Sequence, residues 1–165
     1  MQARMPNPMM IVPDAMHAVY ALGAAVKKSG VPQRTLDLVN LRASQINGCS
    51  FCVEMHSGDL KKAGEKDERI FAVAAWRESP YFNDAERAAL ALTEAATRIN
   101  DRGDAVPDET WDEAARHYDE KALATLVINI GLINFWNRIN VTTRQVAGVW
   151  PAEAKQWLEK ERKTA

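Results

Sequence analysis

A chain of 165 residues, 47% of them hydrophobic, can bury one core and is short for two domains. Its net charge of −1, with acidic and basic residues interspersed, leaves no basic patch for nucleic acid and no polybasic tail for a membrane surface. Two cysteines three positions apart do not make a secreted disulfide framework; with no sign of export they fit a reducing compartment, so the expectation is a soluble, cytoplasmic protein.

Residues 1–12 read as an N-terminal arm, either poorly ordered or strapped onto a neighbouring subunit, because Met9, Met10, Ile11 and Val12 are more apolar than a free tail should be. Residues 13–165 read as a single helical domain. Pro13 and Asp14 open a first helix that runs to about Lys28, with Met16, Val19, Tyr20, Gly23 and Val26 on its apolar side. A second helix starts near Pro32, runs to Gln45 and stops at Asn47-Gly48. A third spans about Ser50 to Ala63 and stops at Gly64. Asp67 opens a short helix through Ile70, Val73, Ala74 and Trp76, and 80–83 is a break.

Asn83 or Asp84 caps the next helix, which runs to about Asn100 and carries Ala88, Ala89, Leu92, Ala95, Ala96 and Ile99 at helical spacing. Residues 101–104 form a loop, and Pro107 begins a helix with Trp111, Ala115 and Tyr118 on one side. Asp119 or Glu120 opens the longest apolar helix, to about Ile139. It is apolar nearly all round and should be central or lie in a subunit interface. Asn134, Asn137 and Arg138 near its close form either an interface or site-supporting polar network or a satisfied C-terminal turn. Trp150-Pro151 breaks the chain before a charged final helix. No apolar run approaches the length of a membrane span. Every strong signal is helical, so the fold class is all-α, a compact bundle; no β-α-β pattern supports a thioredoxin fold.

The chemistry concentrates in 37–64, which holds Cys49, Cys52 and one of three histidines, His56. If the segment after Gly48 is helical, these three share a stripe. Residues three apart in a helix are about 5 Å apart between Cα atoms, within reach of a disulfide. A helix N-terminus and a nearby imidazolium both favour a thiolate, and only the thiolate is a useful nucleophile. His56, four beyond Cys52, reaches that thiol most directly, so Cys52 reads as the attacking thiol and Cys49 as its resolving partner; greater exposure of Cys49 would reverse the roles. Across the turn, Asp37 lies roughly 15 Å back and His56 roughly 12 Å on, so the two can meet at similar depth. Asp37 would then hold the tautomer of His56, which shuttles the thiol proton. His17 and His117 have no spaced partner and read as packed or surface residues. Arg42 and Glu54 read as ordinary surface charges.

The run L-V-N-L-R-A-S-Q-I-N-G-C-S-F-C-V-E-M-H resembles the core signature of the AhpD-like alkylhydroperoxidases of the carboxymuconolactone decarboxylase superfamily: an acidic residue, C-x-x-C twelve positions on, and a histidine four beyond the second cysteine. The acidic position is Asp37 where the family usually has Glu, and Phe51 stands where some members have a second histidine. The resemblance implies an all-helical oligomer, trimeric or hexameric, with thiol peroxidase chemistry. Cys52 becomes the sulfenic acid, and Cys49 is proton donor and disulfide partner. It implies a hydroperoxide substrate, no bound cofactor, and an external dithiol donor such as a lipoyl group on a partner protein. Weaker readings are a thiol-disulfide oxidoreductase or redox sensor without peroxide turnover, decarboxylase or lactone chemistry, a metal knot that lacks a fourth ligand, and two merely buried cysteines.

Overall fold

The computed structural model describes residues 1–99 and 103–149. The expected loop at 101–104 falls partly outside these residues, and the Trp150-Pro151 break and final helix wholly so. Among the described residues eight α-helices follow in order: α1 (Pro8–Ile11), α2 (Pro13–Lys27), α3 (Gln33–Ile46), α4 (Ser50–Lys62), α5 (Asp67–Ala72), α6 (Asp84–Thr97), α7 (Asp108–His117) and α8 (Glu120–Thr142). The all-α expectation holds, and no strand occurs among the described residues.

Helix α3 divides the core. It packs on α4, α6 and α8 and buries residues on almost every side. Leu36 and Val39 join Val26, Leu92, Leu126 and Ile130 in one apolar cluster. Leu38 and Leu41 join Leu60, Val73, Trp76 and Leu90 in another. The helix that carries Asp37 at one end and leads into the cysteines at the other is thus held from both sides.

Asn83, rather than Asp84, caps α6. Its Oδ1 accepts from Glu86 N (2.9 Å) while Glu86 Oε2 accepts from Asn83 N (3.1 Å), a reciprocal capping box. The short helix expected after Asp67 divides in two: α5 ends at Ala72 and 73–78 continue as a 3-10 helix. The tighter winding brings Val73 and Trp76, three apart, to the same buried side.

The N-terminal arm is not a loose tail. The N–H of Arg4 donates to Thr143 O (2.9 Å), its guanidinium to Thr142 O (2.9 Å), and Gln145 Nε2 to Met5 O (3.1 Å). The arm therefore satisfies carbonyls that the end of α8 leaves without helical partners. Met9 is buried in the same chain, while Ile11 and Val12 remain about half exposed.

Helix α8 runs three residues past the expected Ile139 and, against expectation, is long and apolar enough to cross a membrane by length and composition alone. Its packing fits a core helix: it contacts α2, α3, α4, α6 and α7 and buries Asn129, Asn134, Asn137 and Asn140. Its remaining surface exposes Val127, Ile128, Phe135 and Val141.

Arg42 is not a surface charge. Its side chain is only 12% exposed and pairs with buried Glu94 of α6. Glu94 Oε1 accepts from Arg42 Nε (2.7 Å) and Trp76 Nε1 (3.0 Å), and Oε2 pairs with Arg77 and Arg98. Burial alone would raise its carboxyl; the bonds from Arg77, Trp76 and Arg42 outweigh this and hold it down at about 2, against an ordinary 4.5. The depressed value makes the contribution full above pH 4.5 and lost as the pH falls through 2. Glu94→Gln, which strands the Arg42 charge, is expected to cost about 3 kcal/mol in urea unfolding at pH 7. That difference should shrink as unfolding is repeated towards pH 2.

Candidate active site

The site begins at the turn between α3 and α4. Gly48 takes φ +65°, a left-handed conformation that glycine adopts without a Cβ penalty. Gly48 N then donates to Gln45 O (3.2 Å) and Cys49 N to Ser44 O (3.0 Å), the paired bonds of a Schellman stop. No linker follows: Cys49 is at once the residue that closes α3 and the N-cap of α4, and its sulfur accepts from Cys52 N at 3.3 Å. Cys52 lies in the first turn of α4, with 5.3 Å between the two Cα atoms, and the pair is joined as a disulfide. Both thiol positions are buried, Cys49 at 2% exposure and Cys52 at 0%, so exposure does not favour Cys49 as the attacking sulfur.

Asparagines of α8 pin this turn. Asn47 Nδ2 donates to both Asn134 Oδ1 (2.9 Å) and Asn137 Oδ1 (2.8 Å). Asn137 Nδ2 donates to Ser44 Oγ (3.0 Å), and Asn134 Nδ2 to Thr97 Oγ1 (3.1 Å). Of the two readings of Asn134 and Asn137, the supporting network is the one formed. The residue that sequence reasoning missed is Asn140, whose Nδ2 lies 3.3 Å from Cys52 Sγ. Its signal was the three-residue repeat of Asn134, Asn137 and Asn140, which puts all three on one side of α8.

His56 follows one turn beyond Cys52 and is buried. Burial holds its imidazole at about 4, well below the ordinary 6.5; Asp59 opposes the shift and Lys27 adds to it. Neither ring nitrogen has a hydrogen-bond partner among the described residues. The expected direct bond from Asp37 is therefore not made. Asp37 is buried on α3, and its carboxylate accepts from Gln33 Nε2 at 2.8 Å, one turn away on the same helix. Burial raises the Asp37 carboxyl above its ordinary range, Gln33 lowers it, Asp59 raises it and Lys27 lowers it. Asp37 and His56 thus share Asp59 and Lys27 as electrostatic neighbours without a hydrogen bond between them. His117 lies on the exposed surface against Glu113 (3.2 Å), and Glu54 is exposed. Two surface hollows, of about 230 and 190 Å³, are lined by neither the cysteines nor His56.

Residues 13–95, which contain Asp37, Cys49, Cys52 and His56, match the carboxymuconolactone decarboxylase family. The chain belongs to that family. It is 39% identical over 131 residues to YdfG of Bacillus subtilis strain 168, itself uncharacterized, across 79% of this chain and 88% of that one. A solved structure from Agrobacterium tumefaciens, ATU0492, is 37% identical and superimposes with a TM-score of 0.83, over 90% of this chain and all of the other. That protein is of unknown function and a candidate AhpD antioxidant-defence protein. The chain is an AhpD-like member of the superfamily. The debrominase Bmp8 shares the fold at 24% identity, with a TM-score of 0.75 over 92% of this chain and 78% of that one.

A buried neutral histidine leaves a measurable trace. Between pH 6.5 and about 4 the unfolded chain binds a proton at His56 that the folded chain refuses. The stability is therefore full above pH 6.5 and is lost as the pH falls towards 4, by about 3 kcal/mol for this one group. Urea unfolding of the disulfide form at pH 7 and pH 4 should show this loss in the wild type, and a smaller one by about that amount in His56→Gln.

Proposed function

We propose that the protein is a thiol-dependent peroxidase in which Cys52 attacks a hydroperoxide and Cys49 resolves the product. The observation that carries the reading is the placement of the pair. Cys52 sits in the first turn of α4 with an amide donor on its sulfur, Cys49 lies at disulfide distance, and a neutral imidazole follows one turn on. A neutral His56 can accept a proton, so it takes the Cys52 thiol proton as base. The thiolate attacks the distal peroxide oxygen, the O–O bond breaks, and the leaving alkoxide takes that proton to become an alcohol, or water from hydrogen peroxide. The Cys52 sulfenic acid is then attacked by the Cys49 sulfur and loses its oxygen as water. The disulfide formed is the state seen here.

Two electrons and two protons must return from an external dithiol. Both sulfurs are buried, so the donor must be slender, as a lipoyl arm is, or must shift the cover over the pair. Asp37 holds the place of the family's acidic residue and is assigned the exchange of His56's proton with solvent. The decarboxylase chemistry in the family's name gives the cysteine pair no part, which is why it ranks lower. We read the protein as cytoplasmic, where dithiol donors are kept reduced, and as a homo-oligomer that covers the exposed Val127, Ile128, Phe135 and Val141 of α8.

Consumption of an organic hydroperoxide with dihydrolipoamide as donor tests the reading. Wild type should turn over; Cys52→Ser should lose activity entirely; Cys49→Ser should stall at a sulfenic acid detectable by mass spectrometry; His56→Ala should slow the peroxide step by roughly 100-fold. A wild-type pair that cycles between dithiol and disulfide but consumes no peroxide would replace this reading with a disulfide oxidoreductase or redox sensor.

A further inference from the structure

The sulfur of Cys52 is touched by an amide, and an amide has two unlike ends. Only its N–H₂ end helps a thiolate; the carbonyl end would repel one. The two ends of Asn140 have nearly the same shape, so Asn140 alone does not decide which faces the sulfur. The decision is made three groups away. The backbone N–H of Met9, fixed in the short helix α1, points at Asn7, so Asn7 must turn Oδ1 towards it (3.0 Å). That leaves Asn7 Nδ2 facing Asn140, whose Oδ1 accepts it at 3.1 Å. Asn140 then has only Nδ2 to offer Cys52 Sγ, at 3.3 Å. The reverse polarity would set two donors against each other at Met9. Asn140 is 4% exposed and Cys52 fully buried, so water cannot readily stand in for the amide.

We propose that Asn140 is a catalytic residue, donating to the Cys52 sulfur and stabilising its thiolate, and that Asn7 of the N-terminal arm is the positioning residue that sets the polarity of that amide. Both lie outside the stretch 13–95 that matches the family. The site is therefore completed by the two ends of the described chain, brought together where the arm binds the close of α8. The inference deepens the peroxidase reading and takes the catalytic role of Cys52 from it. The charged and titratable groups on the surrounding elements include His56, Glu54 and Asp59 on α4, Asp37 on α3, Lys27 on α2, Arg138 on α8 and Arg4 on the arm. The substitutions below leave all of them in place.

The test measures the thiol rather than turnover. In a full-length Cys49→Ser background Cys52 is the lone thiol, and its pKa is read from the pH dependence of alkylation by iodoacetamide. Asn140→Leu should raise that pKa by about one unit, roughly a tenfold fall in thiolate at a given pH below it. Asn7→Asp is the sharper variant. It keeps the cap on Met9, since Asp caps as well as Asn, yet the new carboxylate has nothing to donate. Asn140 must then turn its Nδ2 to the arm and its oxygen to the sulfur, and the thiol pKa should rise at least as far. In the double variant the effect of Asn7→Asp should largely vanish, because Asn140 carries it.

A folded Asn140→Leu protein with an unshifted thiol overturns the proposal. So does an Asn7→Asp shift that persists in full in the Asn140→Leu background, which would be the reach of the added charge alone. Where Asn140→Leu fails to fold, an unshifted thiol in Asn7→Asp overturns it by itself. Expected shifts alongside a wild type that consumes no hydroperoxide would sink the peroxidase reading while leaving the donor assignment standing; turnover without the shifts would do the reverse.

Discussion

The site depends on one left-handed residue. Gly48 reverses the chain in a single step, and the two bonds that close α3 behind it leave Cys49 already in place as the N-cap of α4. A longer connection would let the cysteine pair drift relative to α3. With none, the position of both sulfurs is inherited from α3, which is buried on almost every side, and from the asparagines of α8 that grip the turn at Asn47.

Helix α8 does two jobs with two kinds of residue. Leu126 and Ile130 fill the core, as an apolar helix should. Its asparagines run along the face turned to the site and supply what an apolar interior lacks, donors and acceptors for a bent backbone and for a sulfur. Buried amides are costly unless satisfied, and the ones that hold the turn are: Asn134, Asn137 and Asn140 each donate to a named partner and accept from another side chain. The imidazole of His56 is the exception. It is buried with neither nitrogen bonded among the described residues while the cysteines are joined. An unpaired polar group at that depth costs about 1–3 kcal/mol.

Much of this was legible in the chain. Of the eight helices described, α2 to α8 follow from punctuation by Pro13, Asn47-Gly48, Gly64, Asn83, Pro107 and Asp119, with ends that differ by a few residues at most, whereas α1 lies inside the stretch read as an arm. The cysteines, His56 and Asp37 were legible because a helix makes spacing into geometry: three and four residues apart is one face, whatever surrounds it. Where local winding departs from the α-helix, as in the 3-10 segment at Trp76, the spacing was right and the element wrong.

What the sequence determined by itself is therefore local: the all-helical class, the placement of Cys49 and Cys52 at a helix start, and the family. Tertiary structure decided every relation between residues far apart in the chain. It gave Arg42 a buried partner in Glu94, bonded Asp37 to Gln33 rather than to His56, docked the N-terminal arm on its own chain, and set Asn140 against Cys52. The physical reason is the same in each case. A polar side chain's partner is whichever group the packing of apolar faces brings to it, and apolar periodicity says which face turns inward without saying what it will meet there.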